Sequence, residues 1–183
     1  MDILAKIVAH KQKEVAEAKA AAPLEVLKEI AAARGDQRTF ARRLAERRPG
    51  QVNIIAEIKR ASPSRGVIRA DLDAARQARN YEQGGAAALS VLTDQTFFHG
   101  SPDDLKQARA AVLLPVLRKD FIISTYQIYE AAAWGADAVL LIARILDDRQ
   151  LQKYLGVCRQ VGLDALVAVS YTHLRAHETM TGI

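Results

Sequence analysis

A single cysteine, Cys158, is all the thiol that 183 residues offer. With no second thiol, no disulfide framework forms, and the chain suits a reducing compartment. Cys158 falls inside a helical pattern, no His or Asn/Asp pattern points to it, and it reads as a small core residue rather than a nucleophile. Long apolar runs are missing as well. No stretch of about 18 apolar residues occurs, and Lys6, His10, Lys11, Lys13 and Glu14 interrupt the opening segment. Neither a spanning helix nor a cleavable leader is expected, and the cytoplasm is the expected location. Aromatic residues are only 5% of the chain, and its 26 basic residues are interleaved with 21 acidic ones. Neither a stacking platform for nucleic acid nor a basic membrane stripe is supported by that pattern. The net charge of +5 reads as solvated surface, with a share left for an anionic small molecule.

What is present is a change of period along the chain. Ile3, Leu4, Ile7, Val8 and Val15 recur at helical spacing, and Pro23 opens a second such pattern through Leu24, Val26, Leu27 and Ile30. These predict two amphipathic helices that pack against the main domain. From Val52 onward, short apolar runs alternate with helical stretches. The runs are Val52 to Ile58, Ala87 to Leu92, Leu113 to Leu117, Ala138 to Ile142 and Ala165 to Val167. Continuous apolarity over about five residues is expected of parallel strands covered on both faces. Leu72 to Gln83, Pro102 to Ala111, Thr125 to Trp134 and Asp147 to Val161 lie between them, and Gly84-Gly85, Gly135 and Gly162 punctuate the helix exits. Strand and helix alternate at a repeat of about 25 residues, a β/α architecture of which a closed barrel needs about 250 residues. Five strands make either a smaller open sheet or an unfinished barrel.

In such folds the site gathers at the carboxyl ends of the strands. Glu57 and Lys59 are two apart in the first strand, so they share a face. If that face is the interior, an acid and a base stand in a low-dielectric site where their pKa values are moved apart; otherwise they form a strand-end ion pair. The third strand ends Leu117-Arg118-Lys119-Asp120-Phe121, placing Lys119 with the Glu57 pair, Arg118 toward the helices and Asp120 in the loop. Lys119 so placed acts as general acid or binds an anion, against the alternative of an ordinary charged turn. Phe97 and Phe98 follow the second strand, either covering an aromatic substrate or packing on the leading helices. His99 has no companion at metal-ligand spacing and reads as a loop histidine.

Taken together, Ile55-Ala56-Glu57-Ile58-Lys59-Arg60-Ala61-Ser62-Pro63-Ser64-Arg65-Gly66, Leu89-Ser90-Val91-Leu92-Thr93-Asp94, Phe97-Phe98-His99-Gly100-Ser101, Leu117-Arg118-Lys119-Asp120-Phe121-Ile122 and Leu140-Leu141-Ile142-Ala143 resemble the indole-3-glycerol phosphate synthase family of (β/α)8 TIM barrels. The resemblance covers about Met1 to Val167, including the two leading helices that this family adds to its barrel. It implies a cofactor-free lyase of tryptophan biosynthesis. The reaction closes 1-(2-carboxyphenylamino)-1-deoxyribulose 5-phosphate to indole-3-glycerol phosphate with loss of carbon dioxide and water. Carried over by position, Lys119 is the general acid at the ribulose carbonyl, Glu57 and Lys59 serve dehydration and anchor the carboxylate, and Ser62 helps bind it. Phe98, Phe121 and Leu140 line the anthranilate pocket. The implied partner is that phosphorylated small molecule, with neither nucleic acid nor membrane, in a monomer or a fusion to another tryptophan-pathway enzyme. A phosphoribosylanthranilate isomerase would need a Cys and an Asp at strand ends, and Cys158 lies in a helix instead. A non-catalytic module completed by a partner is the reading from another class.

The chain departs from the family at its end. The fifth strand should read Leu-Val-Glu-Val, its glutamate working with the third-strand lysine, and here it reads Leu166-Val167-Ala168-Val169. Ser170-Tyr171-Thr172-His173-Leu174-Arg175-Ala176-His177-Glu178-Thr179 has no strand or helix period and resembles the translation of a transposase-type sequencing adapter. Ala168 is then a junction codon, and the His173 and His177 pair is not read as a metal site. The expected organisation is a helical extension over 1–48, five units of an incomplete barrel over 49–168, and a foreign, disordered tail over 169–183. The sixth-strand asparagine and the last two strands, whose loops hold the phosphate in such barrels, are expected to be missing. An unpaired sheet edge invites aggregation, and the expectation for the chain as written is an inactive, poorly folded protein.

Overall fold

The computed structural model describes residues 3–46, 50 and 52–169. Helix α1 (Ile3–Ala21) buries Ile7, Lys11 and Val15, a stripe at i, i+4 and i+8. Helix α2 (Leu24–Ala33) starts after Pro23, whose φ of −59° suits the ring and leads the chain into the helix. A third helix, α3 (Phe40–Ala45), was not foreseen. It is only six residues long, too short to show a period, and it buries Phe40.

Five parallel strands follow in chain order: β1 (Ile55–Ile58), β2 (Ala88–Leu92), β3 (Val116–Lys119), β4 (Ala138–Ile142) and β5 (Asp164–Ala168). Helices α4 (Ala74–Gln83), α5 (Gln95–Phe98), α6 (Pro102–Ala111), α7 (Thr125–Ala133) and α8 (Asp148–Gln160) fall between them. Local chemistry starts these helices. Asp73, Asp94 and Ser101 accept backbone N–H groups of the first turn, and Ser124 and Asp147 form capping boxes with Gln127 and Gln150. Gly85, Gly135 and Gly162 have positive φ at helix exits, where a Cβ would be strained.

The first strand begins at Ile55 instead of Val52. The third strand begins at Val116 and runs to Lys119 instead of starting at Leu113; Pro115 has no N–H to enter a ladder. The Ser-Pro-Ser segment folds as a small hairpin, Ala61–Ser62 against Gly66–Val67, with Gly66 at φ +64°.

The sheet separates two apolar layers. Toward the helices lie Ile58, Leu89, Val91, Val116, Val139 and Leu141, packed with Ala78, Leu105, Ile128 and Cys158. Burial pushes the Cys158 thiol up to about 12, in keeping with a core residue. On the other face Ala88, Leu117, Ala138 and Leu140 close on Phe40 of α3, with Ile55, Ile142 and Leu166 alongside. Helices outside, strands parallel and in sequence order, and a second core within make this an incomplete (β/α)8 barrel of about five units. The leading helices pack on it: α2 lies against α7, and the Tyr126 hydroxyl donates to the carbonyls of Ala18 and Ala22. The proposed boundary near residue 48 and the tail from 170 lie outside the described residues.

Candidate active site

Alternation along each strand selects the inner face. Ile55 and Glu57 on β1, Ala88 and Ser90 on β2, Leu117 and Lys119 on β3, Ala138 and Leu140 on β4, and Leu166 and Ala168 on β5 share it. Apolar residues therefore fill its lower layers, and charge begins where the strands end. Glu57 stands beside Ser90, which stands beside Leu117, and Lys119 is one step further along, beside Leu92.

Glu57 is the centre of the charged layer. Its Oε2 accepts from Lys119 Nζ at 2.8 Å and its Oε1 is 2.8 Å from Lys59 Nζ. Burial works to raise the Glu57 carboxyl, but the hydrogen bonds and charges of Lys119 and Lys59 outweigh it and hold the group below its ordinary value. The three side chains are 31–34% exposed. The low-dielectric interior expected for them is thus only half realised within the described residues. Two cations about one anion leave a net positive charge, suited to a substrate carrying carboxylate or phosphate.

The two phenylalanines part company in their packing. Phe98 lies 6.1 Å from Phe121, tilted by 37°, beyond the strand ends, whereas Phe97 meets the His10 ring of α1 edge-on at 5.7 Å. Leu140 is 7% exposed in the inner core and belongs to the floor of the site. Ser62 is half-buried; its hydroxyl accepts from Arg65 N at 3.3 Å and lies 3.5 Å from Ser64 Oγ, within its own hairpin.

A buried ionic cluster beside the site escaped the sequence reading. Lys11, 3% exposed, reaches Glu14 of its own helix, Asp94 at 2.8 Å and Asp120 at 2.9 Å. Asp120, placed in a loop from sequence, is buried after β3 and also takes Arg118 at 3.0 Å and the Thr93 hydroxyl at 2.7 Å. Arg118 does face the helices: it bonds Glu130 at 2.8 Å and stacks 4.1 Å from the Trp134 ring. One signal was available: Lys11 occupies the apolar stripe between Ile7 and Val15, where a charge needs a partner.

A cavity of about 1010 Å³ lies elsewhere, lined by Ile30, Arg34, Arg109, Leu113 and Trp134. It marks the joint between the leading helices and the barrel, because Arg34 and Arg109 are both bonded there to Asp137. Among the described residues, no group of three or more His, Cys, Asp or Glu is arranged to hold a metal, and no helix is long and apolar enough to cross a membrane.

Residues 4–178 match the profile of a family described as indole-3-glycerol phosphate synthase. The chain is 56% identical over 169 residues to the protein of that name from Desulfosudis oleivorans, covering 92% of this chain and 64% of the relative. The relative from Syntrophobacter fumaroxidans is 54% identical over 170 residues, covering 92% and 63%. That from Neisseria gonorrhoeae is 53% identical over 167 residues, covering 91% and 64%. The chain therefore spans a little under two thirds of the length of these curated relatives.

Proposed function

Because the chain belongs to the indole-3-glycerol phosphate synthase family, we propose that in complete form it closes 1-(2-carboxyphenylamino)-1-deoxyribulose 5-phosphate to indole-3-glycerol phosphate. The observation that carries this reading is Glu57 held between Lys119 and Lys59 on the inner face at the carboxyl ends of β1 and β3, which flank β2.

The chemistry needs what that cluster offers. As a ring carbon attacks the substrate ketone, negative charge gathers on the carbonyl oxygen, and the Lys119 ammonium delivers a proton there. Carbon dioxide then leaves, returning its bonding electrons to the ring. The new hydroxyl departs as water, which takes one proton from an acid while a base removes another from the five-membered ring. Glu57, kept ionised by its two lysines, is suited to that proton traffic, and Lys59 to the carboxylate. Phe98 and Phe121 supply an aromatic wall, Leu140 the apolar floor, and Ser62 a hydroxyl from the hairpin once its own turn releases it.

Ala168 is the weak point. Alternation from Leu166 puts position 168 on the inner face at the end of β5, beside Ile142, and a glutamate there would stand on the site side. In our reading the chain as written, with alanine at 168, does not turn over, and it acts as a cytoplasmic monomer or fused enzyme only when complete. The test joins the remaining segment of the Desulfosudis oleivorans relative after Val167 and follows formation of indole-3-glycerol phosphate by fluorescence. Product is expected, with Lys119→Met reducing kcat about 10²–10⁴-fold. A folded but inactive completed chain overturns the function, and turnover by the chain as written overturns its inactivity.

A further inference from the structure

Ser90 has no part in the residue roles assigned above, yet it is the polar residue in the floor of the site. It is 4% exposed, and its Oγ has no hydrogen-bond partner among the described residues. Its strand neighbours explain why this is unusual. Ala88 and Leu117 are apolar, and β2 is buried along its whole length. A hydroxyl in such a setting gives up water and ordinarily regains a partner. Alanine would fit the same strand without that cost. Ser90 is also well placed: it stands directly beside Glu57 on one side and Leu117 on the other, diagonal to Lys119.

We infer that the Ser90 hydroxyl is a substrate contact, hydrogen-bonded to the oxygen that Lys119 protonates. The inference rests on the proposed ring closure and deepens it. The oxygen begins as a carbonyl, which accepts; it becomes a hydroxyl, which accepts and donates; it leaves as water. A serine hydroxyl both donates and accepts, so it follows the oxygen through all three stages without a change of its own protonation. A lysine ammonium above and a hydroxyl below make a two-donor cradle for the charge that develops in the attack.

The experiment compares Ser90→Ala, Glu57→Gln and Lys119→Met in the chain completed after Val167, measuring kcat, KM and thermal midpoint. Ser90→Ala is expected to lower kcat about tenfold, the worth of one hydrogen bond made in the transition state, with the midpoint unchanged or raised. A parent-like kcat overturns the inference, and so does a lowered midpoint, which would mean that the hydroxyl holds the fold together. If Glu57→Gln and Lys119→Met cut turnover steeply while Ser90→Ala keeps the parent kcat, only the Ser90 assignment fails. If none of the three alters turnover, the proposed function fails with it.

Discussion

Lys11 Nζ, on the first helix of the chain, lies 2.9 Å from Asp120 Oδ1, in the residue that directly follows Lys119. Both side chains are almost wholly buried, at 3% and 2% exposure. The contact ties the helical extension to the end of β3, and Asp120 passes the restraint on by accepting from Phe121 N at 2.8 Å. The extension is therefore part of what holds the strand end that carries Lys119 in place.

Lys11→Met leaves Asp94 and Asp120 buried with one cation fewer. Removing one partner of a buried pair costs about 3–5 kcal/mol, so the urea midpoint should fall steeply. Burial opposes the Asp120 charge, but Arg118 and Lys11 bring its pKa down to about 2. A depressed carboxylate contributes stability above its unfolded pKa of about 3.9 and loses it as pH falls toward the folded value. Without Lys11 the folded value rises, so the substitution should cost most at neutral pH and progressively less below about pH 4. A midpoint difference that does not shrink on acidification would contradict the assigned pair.

Glu57 is held below its ordinary value, with burial opposing and the two lysines prevailing. As a base it is ready at neutral pH, so the acid limb of kcat/KM governed by it in the completed chain should lie below about pH 4.3. Lys59→Met removes one of its two hydrogen bonds and should move that limb upward. An unmoved limb would show that another group controls it.

Gly100 is fixed by space. A Cβ there would sit 2.2 Å from the Leu92 carbonyl oxygen, a backbone atom that cannot swing aside, while Gly100 N donates to Asp94 O at 2.8 Å. Gly100→Ala should cost about 1–3 kcal/mol through overpacking, read as a lowered thermal midpoint. Because Leu92 pairs with Lys119, kcat should fall as well.

Asp137, 1% exposed, gathers Arg34 at 2.7 Å, Arg109 at 3.1 Å and the backbone N–H groups of Arg38 and Val116 at 2.9 Å. Asp137→Ala should cost about 3–5 kcal/mol and loosen the segment between α2 and α3. Faster tryptic cleavage after Arg34 or Arg38 is the expected sign; unchanged cleavage would place the restraint elsewhere.

The alternation of strands and helices, the shared face of Glu57 and Lys59, and the outward turn of Arg118 were legible in the sequence, because strand and helix periods are local and repeat over several residues. The short helices α3 and α5 and the hairpin at Ser62 were not, since two to six residues carry too little period. The two phenylalanines illustrate the division: adjacency marked both, but only packing separated Phe97, against His10, from Phe98, against Phe121. The sequence by itself determined which residues share a face. Only the tertiary structure decided that Lys119 reaches Glu57 over the strand between them, that Lys11 neutralises Asp120, and that Ser90 is buried with no partner among the described residues, because burial and charge pairing are set by residues distant in the chain that the closing sheet brings together.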